Sequence, residues 1–98
     1  MLIRSQNKKF LTDDLKFEIV TNKYYPETDD GEVIEESKIY NSTGLCFGTY
    51  STEEKAIKVL DMIQDEYKKY ATIESGFGGI HGAFNIPKCF EMPQDSEV

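Results

Sequence analysis

The chain's only histidine, His81, lies among four of its seven glycines in the stretch ESGFGGIHGAFNIP, residues 74–87. Two chemistries use such residues. Glycine-rich turns let backbone amides approach a phosphate, and an imidazole serves as a general base. The spacing supports neither. A dinucleotide-binding turn needs Gly-x-Gly-x-x-Gly between a strand and a helix. Here Gly76 and Gly78 are followed by His81 where the third glycine belongs, and Gly82 falls one place late. The stretch also follows a predicted helix, so no helix N-terminus aims amides at an anion. His81 has no nucleophile or second ligand at motif spacing. The local reading is a helix C-cap near Gly76 and then a crossing to the last strand.

Carboxylates are the other abundant reactive group. ETDDGEVIEE, residues 27–36, holds six acids in ten positions. It lacks the ligand spacing of a calcium-binding EF-hand loop. Pairs such as Asp29-Asp30 and Glu35-Glu36 sit in a wet segment, where nothing tunes them for acid–base work. A solvated hairpin is expected, with an acidic patch for a basic partner as the minority reading. Cys46 and Cys89 are too few for a disulfide framework and lack zinc spacing, so each is expected to behave as a small buried hydrophobe. No catalytic, cofactor or metal site is predicted.

The net charge of −7 over 98 residues disfavours general binding to nucleic acid or to an anionic membrane. Hydrophobic content of 39% suits one folded domain, 1–98. The opening MLIRSQNKKF has no apolar signal core, and no apolar run reaches membrane length. The expectation is a cytoplasmic protein with reduced thiols.

The elements that would position these residues follow from hydrophobic period. MLIRS reads as a short strand and NKKFLTDD as a turn. In LKFEIV, residues 15–20, Leu15, Phe17 and Ile19 alternate with Lys16 and Glu18, the pattern of a strand with one wet face. VIEESKIY (33–40) and LCFGTY (45–50) complete an antiparallel meander of three strands. Residues 52–71 carry Ala56, Val59, Leu60, Ile63, Tyr67 and Tyr70 at helical spacing, with Ser51 and Glu54 as a capping box. KCFEM is a last strand, and the tail 93–98 is expected to fray. The predicted fold class is α+β: one antiparallel sheet of four to five strands with one long amphipathic helix packed on one face.

Alternation in LCFGTY puts Cys46, Gly48 and Tyr50 on one side and Leu45, Phe47 and Thr49 on the other. Gly48 would then admit the helix closely, leaving Leu45 and Phe47 in need of cover, from the terminal segments, from residues 72–87 or from a second subunit. Tyr24, Tyr25, Phe77 and Phe84 fall in predicted loops. They either cap the open sheet face or form a protein interface.

Two resemblances bear on function. FGTYSTEEKAIKVLD resembles the strand-to-helix junction of AP2-type and phage-integrase arm-binding domains, through Gly48, Tyr50, Thr52, Glu53, Glu54 and Ala56. That resemblance implies a three-stranded sheet that reads DNA with basic and aromatic side chains. The matching strands here carry Glu18, Glu35 and Glu36, which depart from the pattern. Over the whole chain, MLIRSQNK, GTYSTEEKAIKVLDMIQ and FEMP resemble small uncharacterised proteins of Gram-positive bacteria and their phages. This resemblance implies a compact bacterial or prophage-encoded protein and supplies no site residues. The leading expectation is a non-enzymatic interaction module, with an unknown protein partner or self-association through the Leu45/Phe47 face. The alternative is a diverged AP2-like binder using Arg4, Lys8, Lys9, Lys16 and Lys23. A small enzyme built on His81 is third.

Overall fold

The computed structural model describes residues 1–25, 33–76 and 89–98, with helix side chains as far as Lys69. The fold is α+β. In chain order the elements are β1 (Leu2–Arg4), β2 (Leu11–Thr12), β3 (Phe17–Tyr24), β4 (Ile34–Asn41), β5 (Cys46–Tyr50), α1 (Glu53–Gly76), β6 (Cys89–Glu91) and a 3-10 turn at Asp95–Glu97. The predicted His81, Phe77 and Phe84, and the acids at 27–32, lie outside the described residues.

The three-stranded meander forms, but its first strand is displaced from the expected 15–20 to Phe17–Tyr24, so Leu15 lies outside it and exposed while Tyr24, expected in a loop, is its last residue. β3 pairs antiparallel with β4 over eight residues, from Phe17 opposite Asn41 to Tyr24 opposite Ile34. The buried Ser37, Ile39 and Asn41 share one face of β4 with Phe17, Ile19 and Thr21 of β3. That face receives α1 through Ala56, Val59 and Ile63, all buried. Asn41 shapes the turn into β5: its Oδ1 accepts the Leu45 N–H at 2.8 Å and the Thr43 hydroxyl at 2.9 Å. Gly44 in that turn has φ +85°, a conformation open to glycine.

The terminal strands do not extend this sheet. They form a second one, in the order β2-β1-β6. The expected single sheet is thus two sheets of three strands each, and β1 and β6 run parallel, Ile3 opposite Phe90. A two-residue strand within NKKFLTDD gave no periodicity to read. α1 runs to Gly76, five residues beyond the predicted end. Its cap is Thr52, whose Oγ1 accepts the Lys55 N–H at 3.1 Å. Ser51, the expected cap, bonds Asp95 instead. Lys68 and Lys69 therefore sit about two turns inside the helix, and its last turn carries no basic residue.

The largest correction concerns Phe47. Register passes from Ile39–Gly48 to Tyr40–Cys46, so Phe47 is the extra residue of a β-bulge. The bulge breaks the alternation that would send Phe47 outward. Phe47 is 1% exposed and packs edge-on against Phe17, ring centroids 5.6 Å apart, and against Phe10 at 6.2 Å. Gly48 also differs in role. A Cβ there would lie 2.7 Å from Cε2 of Tyr50, so the missing side chain admits the Tyr50 ring and not the helix.

The two sheets join at Gln6. Its backbone N–H donates to the Phe47 carbonyl at 2.7 Å. Its side-chain Oε1 accepts the Thr49 N–H at 2.9 Å, and Nε2 donates to the carbonyls of Thr49 and Pro93 at 3.1 and 3.2 Å. Its own carbonyl accepts from Gln94 Nε2 at 2.9 Å. The tail expected to fray is thereby tied down. The Tyr50 hydroxyl, buried, also donates to the Pro93 carbonyl at 2.8 Å.

Two substitutions test this frame. Gly48→Ala must displace a buried, hydrogen-bonded ring, and chemical denaturation should show a loss of about 1–3 kcal/mol. Gln6→Ala leaves the Thr49 amide and two carbonyls without their partner. It should cost about 1–3 kcal/mol and speed carboxypeptidase trimming of residues 93–98.

Candidate interaction surface

β5 first meets β4 at Ser37, so the last three β3–β4 pairs project beyond it as a two-stranded arm: Asn22–Glu36, Lys23–Glu35 and Tyr24–Ile34. The start of the helix meets the arm's inner side where the Glu53 N–H donates to Glu35 Oε1 at 3.3 Å. The outer side carries Glu18, Val20, Asn22 and Tyr24 from β3, and Ile34, Glu36, Lys38 and Tyr40 from β4. Tyr24 is 49% exposed and Ile34 55% exposed; Tyr25 and Val33 just beyond them are exposed as well. Tyr24 and Ile34 are directly opposite, a spacing at which an aromatic and a β-branched side chain pack on one another.

The predicted surface residues therefore divide. Tyr24 and Tyr25 lie together on the arm. Leu45 is exposed, but in the tight turn before β5, and Phe47 is in the core. The Leu45/Phe47 face does not exist as a surface. Val20, Val33 and Ile34 were missed by the sequence reading. The adjacent Val33-Ile34 pair was visible as apolar, but only the register shows that Ile34 points outward beside Tyr24.

Charge on the outer face is mixed. Lys38 Nζ lies 3.4 Å from Glu36 Oε1, and that carboxylate's hydrogen bond holds the Lys38 ammonium above its usual range. Arg4, Lys8 and Lys9 lie instead at the β1–β2 hairpin, where Arg4 Nε donates to the Lys8 carbonyl at 3.3 Å. Lys23 sits on the helix-facing side, opposite Glu35. Four of the five basic residues considered for nucleic acid, Arg4, Lys8, Lys9 and Lys23, thus lie off the meander's outer face.

Other reactive groups are scattered. Cys46 is half-buried and Cys89 exposed, both as free thiols, so neither is the fully buried hydrophobe expected. Cys46 Sγ contacts the Gly48 carbonyl at 3.4 Å. Among the described residues no group of three or more His, Cys, Asp or Glu is placed to hold a metal ion. An apolar cleft of about 450 Å³ lies between α1 and the start of β3, lined chiefly by Leu15, Phe17, Leu60, Ile63 and Tyr67. Among the described residues no helix is long and apolar enough to cross a membrane.

Comparison with known proteins gives no relative. No family model matches the chain, and no curated protein or solved structure matches it significantly.

Local electrostatics hold the tail. Asp95 Oδ1 accepts the Ser51 N–H at 2.8 Å and the Ser51 hydroxyl at 3.1 Å, and Lys55 Nζ lies 3.6 Å from Oδ2. The Ser51 amide, with the hydroxyl and Lys55, holds the Asp95 carboxyl below its ordinary 3.8. Burial, with Asp95 beside it, pushes the Tyr50 phenol well above its ordinary range. A carboxylate with a lowered folded pKa stabilises above its unfolded value and loses that contribution as pH falls through the folded one. Protection of the Ser51 amide from hydrogen exchange should therefore decline below about pH 3.8, and Asp95→Asn should flatten that dependence.

Proposed function

We propose that this protein is a non-enzymatic interaction module that docks a protein partner on the outer face of its β3–β4 arm. The observation that carries the reading is the exposed Tyr24–Ile34 pair, flanked by Tyr25 and Val33, on a ladder fixed by eight consecutive backbone pairs. Aromatic and β-branched side chains presented on a rigid element suit an interface, since they bury much area for little lost side-chain freedom. A bacterial or phage origin and a cytoplasmic setting belong to the same proposal. They rest on the resemblance carried by MLIRSQNK, GTYSTEE and FEMP.

A second reading is a diverged AP2-like nucleic-acid binder. It draws support from the chain order, a three-stranded antiparallel meander followed by a helix on one face. Glu18 and Glu36 on the outer face weigh against it, because phosphate contacts need cations there.

A photo-reactive phenylalanine analogue at position 24, in the cell that expresses the protein, tests the proposal. A protein cross-link is expected, absent when the probe is moved to Lys58 on the exposed side of α1, and lost with Ile34→Lys. Ile34 is more than half exposed, so that substitution should change stability by no more than about 0.5 kcal/mol. Equal labelling from positions 24 and 58 would overturn the reading. Cross-links to nucleic acid in place of protein would favour the second one.

A further inference from the structure

The two edges of the meander are treated differently. β5 is closed off by Gln6, which takes up the carbonyl of Phe47 and both backbone groups of Thr49. β3, at the other edge, pairs with β4 without a bulge over its full eight residues. Among the described residues no segment pairs with its outer side. A long, regular open edge offers backbone donors and acceptors to another strand.

The sequence of β3 says which strand fits. A two-fold axis perpendicular to the sheet would pair β3 antiparallel with itself, and only residues of one face can then stand opposite. With the axis through Val20, Val20 meets its own copy. Ile19 meets Thr21, Glu18 meets Asn22, and Phe17 meets Lys23 of the second copy. No like charges are opposed. The one apolar residue exposed at mid-strand, Val20, is covered. Glu18 gains an amide donor, and the Lys23 ammonium gains an aromatic ring. Moving the axis to Thr21 sets Val20 against Asn22 and Lys23 against Ile19, which loses each of these matches.

We infer that β3 is a self-pairing edge, joining two copies of this chain into one continuous six-stranded antiparallel sheet centred on Val20. The strand count is twice the three of β3, β4 and β5. The pairing runs along the edge of β3 and sets Tyr24 opposite Lys16 of the second copy, so it borders the Tyr24–Ile34 surface, which lies on the outer face. It replaces the self-association through Leu45 and Phe47, which burial of Phe47 removes.

Light scattering across concentration should find a reversible dimer of the full chain. Val20→Lys and Val20→Glu each set like charges face to face on the axis, and each should raise the dimer Kd by about tenfold or more. An equimolar mixture of the two variants opposes lysine to glutamate and should recover the dimer. Val20→Cys should give an oxidative or short-maleimide link that peptide mapping places at position 20 in both copies, distinct from Cys46 and Cys89. Circular dichroism melts establish that the variants are folded; if either charged variant is not, the position-20 link decides. A monomer at high micromolar concentration, a dimer indifferent to both charges, a mixture that stays monomeric, or links confined to other positions would overturn the inference. A monomeric chain that still cross-links a partner from position 24 would leave the proposed function standing and remove only the self-pairing.

Discussion

The structure depends on the carboxamide of Gln6. A strand edge normally finds its partner in another strand, which satisfies its backbone groups over several residues. Here one side chain does that for Thr49, using its oxygen as acceptor and its nitrogen as donor. The nitrogen's second hydrogen reaches the Pro93 carbonyl. One residue thereby fixes the small sheet against the meander and anchors the tail. Only a neutral amide offers an acceptor and two donors in that fork. The segments around Gln6, around Gly48 to Ser51 and at Met92-Pro93 meet at this joint.

The β5 bulge is the second constraint, and it follows from the first. With Gln6 holding the Phe47 carbonyl on one side and β4 on the other, the extra residue brings Phe47 inward beside Phe10 and Phe17. Tyr50 can then lie over the space that Gly48 leaves open. Four aromatic rings from three parts of the chain thus close a core that a 98-residue protein would otherwise fill poorly. Buried side-chain polar atoms are matched throughout the described residues, and the Thr21–Ser37 hydroxyl pair at 2.8 Å joins β3 to β4 on the helix-facing side.

What was legible in the sequence was local. Alternation in LKFEIV and helical spacing from Ala56 to Ile63 each report a face, and the structure buries Ala56, Val59 and Ile63 and half-buries Phe17 and Ile19, while Leu15 stays exposed. The α+β class and the meander follow from them. What was illegible depended on contacts distant in sequence. Two-residue β2 has no period, and β6 is defined by its pairing with β1, some 87 positions away. The inversion of Phe47 and Leu45 turns on a single inserted residue, and period-2 reasoning holds only where the ladder is unbroken. Thr52 displaced Ser51 as the cap because Asp95, far along the chain, takes the serine. On the arm, Tyr24 and Tyr25 were visible as aromatics in excess of core needs, whereas Ile34 needed the register to reveal its direction.

The parallel pairing of β1 with β6 has a consequence for how the chain is made. Everything from Phe17 through α1 is contiguous and has its main partners within reach of a growing polypeptide. The small sheet does not. Its central strand is synthesised first and waits for Cys89–Glu91 to leave the ribosome, because long-range pairing carries the cost of closing nearly the whole chain. During that interval Gln6 has no Pro93 to hold, and the outer half of the joint is open. The nascent protein therefore passes through a stage in which helix and meander can be assembled while β1 and Gln6 still await the β6 segment.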